Sequence, residues 1–357
     1  MSEYFRANKA LGSKDRADIG NSAYQLLRWK GLLEAITLKP GNWRVSYELL
    51  SSQTIDQLQK NHDLPLHQRH SCPEALFKLL VNHYGKEKAC DLCELFNERA
   101  PLTIRVNTLK TDRKSLFDRW KGLYDISLSQ EASEGIIFGK NLHILGMEEY
   151  RKGFFEVQDE GSQLLSNLVK VEPGQQVLDY CAGAGGKSLA IAAKMQQKGQ
   201  LYLHDIRTNA LQEAKRRLRR AGAQNVQIIH SEDTKGLKRL KKRMNWVLVD
   251  APCSGTGTLR RNPDMKWWFN EETLSNLVGQ QRLIFEKALS FVRAGGKIVY
   301  ATCSILPEEN QQQVEHFLNT YDLELDSPPL EILPVSGGMD GFFGAVFSVK
   351  KKGNNIP

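Results

Sequence analysis

Two cysteines stand where strand-like runs end. Asn245-Trp246-Val247-Leu248-Val249-Asp250 leads into Ala251-Pro252-Cys253-Ser254-Gly255, and Lys297-Ile298-Val299-Tyr300-Ala301 leads into Thr302-Cys303-Ser304. In an open α/β sheet the carboxyl ends of the strands form one rim where ligands bind, so both thiols are expected to face one pocket. A thiolate is a strong nucleophile, provided that a positive charge, a helix N-terminus or a base helps it ionise. One reaction that needs it is addition to C6 of a pyrimidine. The adduct is electron-rich at C5 and takes an electrophilic methyl group, and loss of the C5 proton then expels the thiol. Asp250 is placed to hydrogen-bond such a base at N3/N4 and to stabilise the adduct's charge. The ordinary alternatives are a buried strand-end thiol for each cysteine and a loop cap for Asp250.

An electrophile of that kind needs a carrier. Upstream lies Asp179-Tyr180-Cys181-Ala182-Gly183-Ala184-Gly185-Gly186-Lys187. A P-loop would place its first glycine at Cys181, so that reading fails. A dinucleotide fingerprint would place its third glycine differently, so that match is weak. A Gly-rich turn after one strand, with an acid ending the next, suits S-adenosylmethionine. Asp205 can accept both ribose hydroxyls, Asp233 can accept from the adenine amine, and small residues let the backbone approach the methionine part. Taken singly, an Asp at a strand end is as readily a helix N-cap. The ordered set of Gly183, Gly185, Asp205, Asp233 and Asp250 is harder to set aside.

The elements that must position these residues read as strand and helix in alternation from residue 151 to 349, which predicts a parallel sheet with helices on both faces. The strands are expected at Gln176–Tyr180, Gln200–Asp205, Val226–His230, Trp246–Asp250 and Lys297–Ala301, with a last one at Phe342–Phe347. The helices are expected from Lys187 to Lys194, Thr208 to Ala221 and Glu271 to Val292. Residues 71–150 read as a small α+β unit: helices Glu74–Tyr84, Lys86–Asn97 and Lys114–Lys121, and a strand at Leu102–Asn107. Residues 1–70 read as a helical segment, with one amphipathic helix from Asn21 to Leu38, stopped by Lys39-Pro40-Gly41-Asn42, and another near Tyr47–Leu58. Residues 350–357 read as a basic tail.

The chain has 357 residues, 41% hydrophobic and 25% charged, which is ordinary for a protein with a real core. Its net charge is +8 and its pI about 9.0, which favours a polyanionic partner. No apolar stretch suggests a signal peptide or a membrane span, so the expectation is a cytoplasmic monomer with reduced cysteines. Cys90-Asp91-Leu92-Cys93 lacks a second ligand pair, and no metal is expected.

Asp250-Ala251-Pro252-Cys253-Ser254-Gly255-Thr256-Gly257 and Ala301-Thr302-Cys303-Ser304-Ile305 resemble the two signature motifs of the Nop/Sun-type RNA cytosine-5 methyltransferases. Arg260-Arg261-Asn262-Pro263-Asp264-Met265-Lys266-Trp267 and Leu306-Pro307-Glu308-Glu309-Asn310 extend the likeness, closest to the bacterial branch that methylates small-subunit ribosomal RNA. Val157–Gln163 resembles the family's entry motif and Gly338–Phe343 its closing strand, so the resemblance spans residues 73–349. It implies an α/β, Rossmann-like methyltransferase sheet with S-adenosylmethionine as cofactor. It implies Cys303 as the nucleophile and Cys253 as the thiol that assists product release, roles that chemistry alone leaves open. It carries cofactor binding to Cys181, Ala182, Gly183, Ala184, Gly185, Gly186, Lys187, Asp205, Asp233 and Asp250. The family commonly has Ala-Pro where this chain has Gly183-Ala184; the turn is looser but loses no required side chain. Leu11–Arg16 with Tyr24–Arg28 resembles the later part of a NusB-like domain, here truncated.

An RNA partner, expected to be ribosomal, needs basic side chains on its backbone. Arg260, Arg261 and Lys266 are the candidates, because they follow Cys253 directly. The clusters Lys215–Arg220 and Lys238–Arg243 read more simply as solvated helix faces. Trp267 and Trp268 can stack on bases, although an aromatic beside a long helix is more often core. Transfer-RNA methylation by the same chemistry, and a non-catalytic RNA-binding assembly factor, are the alternatives.

Overall fold

Alternate residues of the central strands feed two separate apolar cores. Val177, Leu201, Leu203, Trp246, Leu248, Val299 and Ala301 enter one; Leu178, Val247, Val249, Ile298 and Tyr300 enter the other. A strand buried on both faces must be apolar throughout, and these runs are. The computed structural model describes residues 1–140 and 142–350. Of the expected tail, residues 351–357 lie outside the described residues; Lys350 pairs with Asp322 at 3.2 Å.

The chain divides into two compact units, residues 1–99 with 258–273, and residues 100–257 with 274–357. In the second unit, β1 (Leu102–Val106), β2 (Ile126–Leu128), β3 (Gly135–Phe138) and β4 (Phe155–Val157) form an antiparallel sheet in the order β2-β3-β1-β4. The strands β5 (Gln176–Asp179), β6 (Gln200–Asp205), β7 (Val226–His230), β8 (Met244–Asp250), β9 (Val292–Thr302), β10 (Leu323–Leu325), β11 (Leu330–Ile332) and β12 (Phe342–Val349) form the larger sheet. Its order is β10-β12-β9-β8-β5-β6-β7, with β11 also on β12. β5 to β9 are parallel. β12 runs antiparallel to β9, which departs from the expected all-parallel sheet. That reversal sets Phe343 opposite Thr302 and brings the start of β12 to the rim where β9 ends. Helices cover both faces: Leu189 and Ile191 with Leu211 and Leu218 on one, Phe285, Val314 and Phe317 on the other.

The first unit is helical. The expected Asn21–Leu38 helix is broken: one helix spans Ser13–Arg28 and the next Lys30–Thr37. The break has identifiable hydrogen-bond partners. The Leu27 carbonyl accepts from Trp267 Nε1 at 2.8 Å and the Arg28 carbonyl from Lys266 Nζ at 2.7 Å, while Gly31 N donates to Ser71 Oγ at 3.0 Å. Groups that would have continued the ladder are engaged elsewhere. The expected Tyr47–Leu58 helix is likewise two, Trp43–Ser52 and Ile55–Gln59. Thr54 starts the second with a capping box to Gln57. The helices Glu74–Tyr84 and Lys86–Asn97, expected with the α+β zone, belong to this unit. Among the described residues, no helix is long and apolar enough to cross a membrane.

Candidate active site

The parallel register carries the ends of β5, β6, β8 and β9 to one rim: Asp179 pairs with Leu203 and Leu248, and Asp250 with Ala301. Just past β8 and β9, the sulfurs of Cys253 and Cys303 are 3.4 Å apart. None of the six cysteines is in a disulfide. Gly257 makes the close approach possible: its N–H donates to the Cys303 carbonyl at 2.9 Å, and a Cβ there would lie 2.2 Å from the Gly341 carbonyl oxygen. Any larger residue would push the β8 loop off the β9 loop.

The two thiols sit in different fields. Cys253 is held well above the ordinary thiol range, first by its hydrogen bond with Cys303, then by burial and by the charges of Cys303 and Glu309. On the other side Lys187 Nζ donates to Asp250 Oδ2 at 2.6 Å. Burial alone would lower Lys187, but Asp250, aided by Cys303 and Asp179, holds it above the ordinary lysine value. Cys303 thus interacts with a lysine that is itself paired with Asp250.

The Gly-rich turn runs from β5 into the helix Gly186–Met195, capped by Gly185 at φ 78°, the left-handed region that favours glycine. Gly183 N donates to Asp205 Oδ2 at 2.8 Å, and Arg207 donates to the same carboxylate. Burial opposes, but these bonds hold Asp205 below the usual carboxylate range. Burial, followed by the charges of Asp179, Asp250 and Asp205, pushes the Cys181 thiol up. Asp179 is 1% exposed, and burial raises it to about 7. Its Oδ2 accepts from Ser188 Oγ at 2.6 Å, and its Oδ1 is a buried acceptor without a partner. An orphaned carboxylate oxygen beside a glycine turn fits a cationic ligand. Asp233 caps the helix Thr234–Leu240 through Gly236 N at 2.8 Å, the role that competed with adenine binding.

Two of the candidate RNA contacts are corrected. Lys266 is 1% exposed, and its ammonium donates to the Arg28 carbonyl, the Ser71 carbonyl and Asn97 Oδ1, each at 2.7 Å. Arg260 is also 1% exposed, and its carbonyl accepts from Arg28. Both cations are interior to the first unit, where a phosphate cannot reach them. Arg261 is half-buried, Trp267 is tied to Leu27, and Trp268 is 76% exposed. Arg217 and Arg220 are not simply solvated: both pair with buried Glu156, at 3.1 and 2.5 Å.

Several positioning residues were not singled out in the sequence. Arg105, buried on β1, donates to the Gly186 carbonyl at 3.0 Å, and Arg217 donates to the Ala184 carbonyl at 2.8 Å, so the small sheet and a distant helix brace the turn. Glu309 and Gln281 brace the Cys253 loop. Glu309 had a signal, an acid beside the second cysteine motif; Arg105 had none.

A family described as 16S rRNA methyltransferase RsmB/F matches residues 166–348, and the ferredoxin-like domain of RsmF/B-like methyltransferases matches residues 72–144. The probable ribosomal RNA small subunit methyltransferase B of Synechocystis is 31% identical over 302 residues, 78% of this chain and 67% of that protein. Its Bacillus subtilis counterpart is 32% identical over 309 residues, 79% and 67%. This chain belongs to the RsmB/F family. It spans about two thirds of the length of those relatives. A methyltransferase homolog from Pyrococcus horikoshii shares the fold at TM-score 0.69 and 27% identity, covering 79% of this chain and 97% of that one. NSun6 from the same organism, solved with SFG, an S-adenosylmethionine analogue, superposes at TM-score 0.71 and 20% identity, covering 78% and 99%. The RsmB/F chain described here is a methyltransferase, and S-adenosylmethionine is its cofactor.

Proposed function

We propose that this chain methylates C5 of a cytosine in small-subunit (16S) ribosomal RNA through a covalent bond between Cys303 and C6. The observation that carries this reading is the pair of thiols 3.4 Å apart, beside a Lys187–Asp250 ion pair, on the rim of a methyltransferase sheet. The names of the relatives supply the RNA. The cofactor supplies an electrophilic methyl group, and residues Cys181–Lys187 with Asp205, Asp233 and Asp250 hold it.

The Cys303 thiolate adds to C6: the S–C6 bond forms and the C5–C6 π pair moves toward C5, where it takes the methyl group. Asp250 accepts from the base and steadies the adduct. A base takes the C5 proton, the C–H electron pair restores the C5–C6 double bond, and the S–C6 pair leaves on sulfur as the Cys303 thiolate, with Cys253 assisting release. In this reading residues 71–150 contact RNA ahead of the catalytic part, residues 151–349, and residues 1–70 are a NusB-like helical segment. Arg261 remains as the RNA contact, and the protein acts as a monomer in the cytoplasm.

The test is to incubate the Cys253→Ala protein with cellular RNA. A denaturant-resistant protein–RNA adduct is expected, lost in the Cys253→Ala/Cys303→Ala double variant. Sequencing the trapped RNA names the target. Transfer RNA in the adduct would replace the ribosomal assignment, and an adduct that survives loss of Cys303 would overturn the nucleophile.

A further inference from the structure

The residues on either side of Cys253 are pinned by one buried pair of side chains. Glu309 is fully buried, and its carboxylate accepts from Ser254 N at 2.8 Å, Ser254 Oγ at 2.6 Å and Gln281 Nε2 at 3.0 Å. Gln281 Nε2 also donates to the Pro252 carbonyl at 3.0 Å. Glu309 is itself fixed, because its carbonyl accepts from the Tyr300 hydroxyl at 2.7 Å. The neighbouring Asn310 ties back to the Cys303 loop through Thr302 Oγ1 and the Ser304 carbonyl. One short turn therefore holds both cysteine loops, and its Glu309 carboxylate bonds Ser254 and Gln281 on the Cys253 side.

We propose that Glu309 is the positioning residue that divides labour between the two thiols: it clamps the Cys253 loop so that the Cys253 S–H donates to Cys303, which becomes the thiolate. The groups that act on the pair support this polarity. The Glu309 carboxylate is bonded to Ser254, the residue next to Cys253, and its charge together with the Cys303 hydrogen bond and burial raises Cys253. A fixed negative charge there disfavours a thiolate at Cys253 and keeps the shared proton on it. Chemistry alone allows either cysteine to attack; this asymmetry selects Cys303. The inference rests on the cysteine-adduct reading but is testable without RNA or cofactor.

The experiment is iodoacetamide alkylation of the whole protein across a pH series, with each cysteine quantified separately by mass spectrometry. In the wild type, Cys303 is expected to react at lower pH than Cys253. Glu309→Gln lowers the Cys253 titration by about one unit or more and narrows the gap, and Glu309→Asp restores most of it. Should Glu309→Gln fail to fold, Ser254→Ala, which removes one bond of the clamp, is expected to narrow the gap less. An unshifted Cys253 in folded Glu309→Gln, no narrowing in Ser254→Ala where that variant must stand in, or a wild-type Cys253 that reacts first, overturns the proposal. A Cys303–RNA adduct that forms while the thiol titrations ignore Glu309 would sink this inference and leave the proposed reaction standing. A shift without any adduct would do the reverse.

Discussion

Lys187 in the second unit is largely shielded and Lys266 in the first is buried, and both end in short hydrogen bonds, yet their environments differ in kind. Lys187 meets a carboxylate, Asp250 Oδ2 at 2.6 Å, and is held above the usual lysine value although burial opposes it. Lys266 meets two carbonyl oxygens, an amide oxygen and the face of Trp267 at 4.9 Å, and burial brings it down to about 7. The first is a cation kept charged beside two thiols. The second is a donor that knits a broken helix, the Ser71 turn and Asn97 together. Formal charge in a sequence does not separate these cases, whereas the nature of the acceptor does.

The largest effect that would sharpen this contrast is expected at Lys187. Lys187→Met leaves Asp250 without its cation, which costs about 3 kcal/mol, the low end for a buried pair because Asp250 is 34% exposed. Methyl transfer should fall by on the order of a hundredfold or more, as when one preorganised charge is removed from a site. Urea melts and a transfer assay measure the two separately. Full activity in Lys187→Met would break the comparison.

Lys266→Met comes next. It removes one donor from three buried acceptors and should cost about 1–3 kcal/mol. The pH dependence distinguishes it further. A lysine whose folded value is about 7 binds fewer protons when folded than when unfolded, between about pH 7 and its ordinary value near 10.4. Stability therefore rises with pH across that window, by up to a few kcal/mol. Lys187, whose value is raised, has the opposite sign: its contribution is complete below the unfolded value and is lost only as pH climbs through the folded one. Stability measured from neutral to mildly alkaline pH should rise less in Lys266→Met than in the wild type, the remaining rise coming from Lys194, which burial lowers to about 8. A slope unchanged by the substitution would mean that Lys266 does not contribute to it.

The contrast also explains which parts were readable beforehand. Elements bounded by their own neighbours were legible: Glu74–Tyr84 and Lys86–Asn97 lie on either side of Gly85, and β6, β7 and the helix Thr208–Ala221 have the expected ends. So was the meeting of Cys253 and Cys303, because strand ends share a rim. The break at Trp29 was not, because the donor to the Arg28 carbonyl comes from 238 residues away. β2 and β4, three residues each, are too short to show an alternation. Arg260 and Lys266 were read as RNA contacts because they follow Cys253, and nothing local announced their burial. Glu309 lies inside a noted motif, but its partners Ser254 and Gln281 arrive through the fold.

A third lysine sets the lower bound. Lys114 Nζ lies 2.6 Å from Asp118 Oδ2, the same separation as Lys187 from Asp250. If distance decided the matter, the two pairs would be equivalent. Lys114, however, is 87% exposed on a helix that runs from Arg113 to Trp120, where water and salt screen the pair and two long side chains must be immobilised to form it. Asp118 also has Lys121 at 2.9 Å, so it keeps a cation when Lys114 is removed. Lys114→Ala should therefore leave the urea midpoint unchanged within error, at low and at high salt alike. A clear loss of stability at low salt would show that short ion-pair geometry matters even in water, and burial would then no longer account for the difference between Lys114 and Lys187.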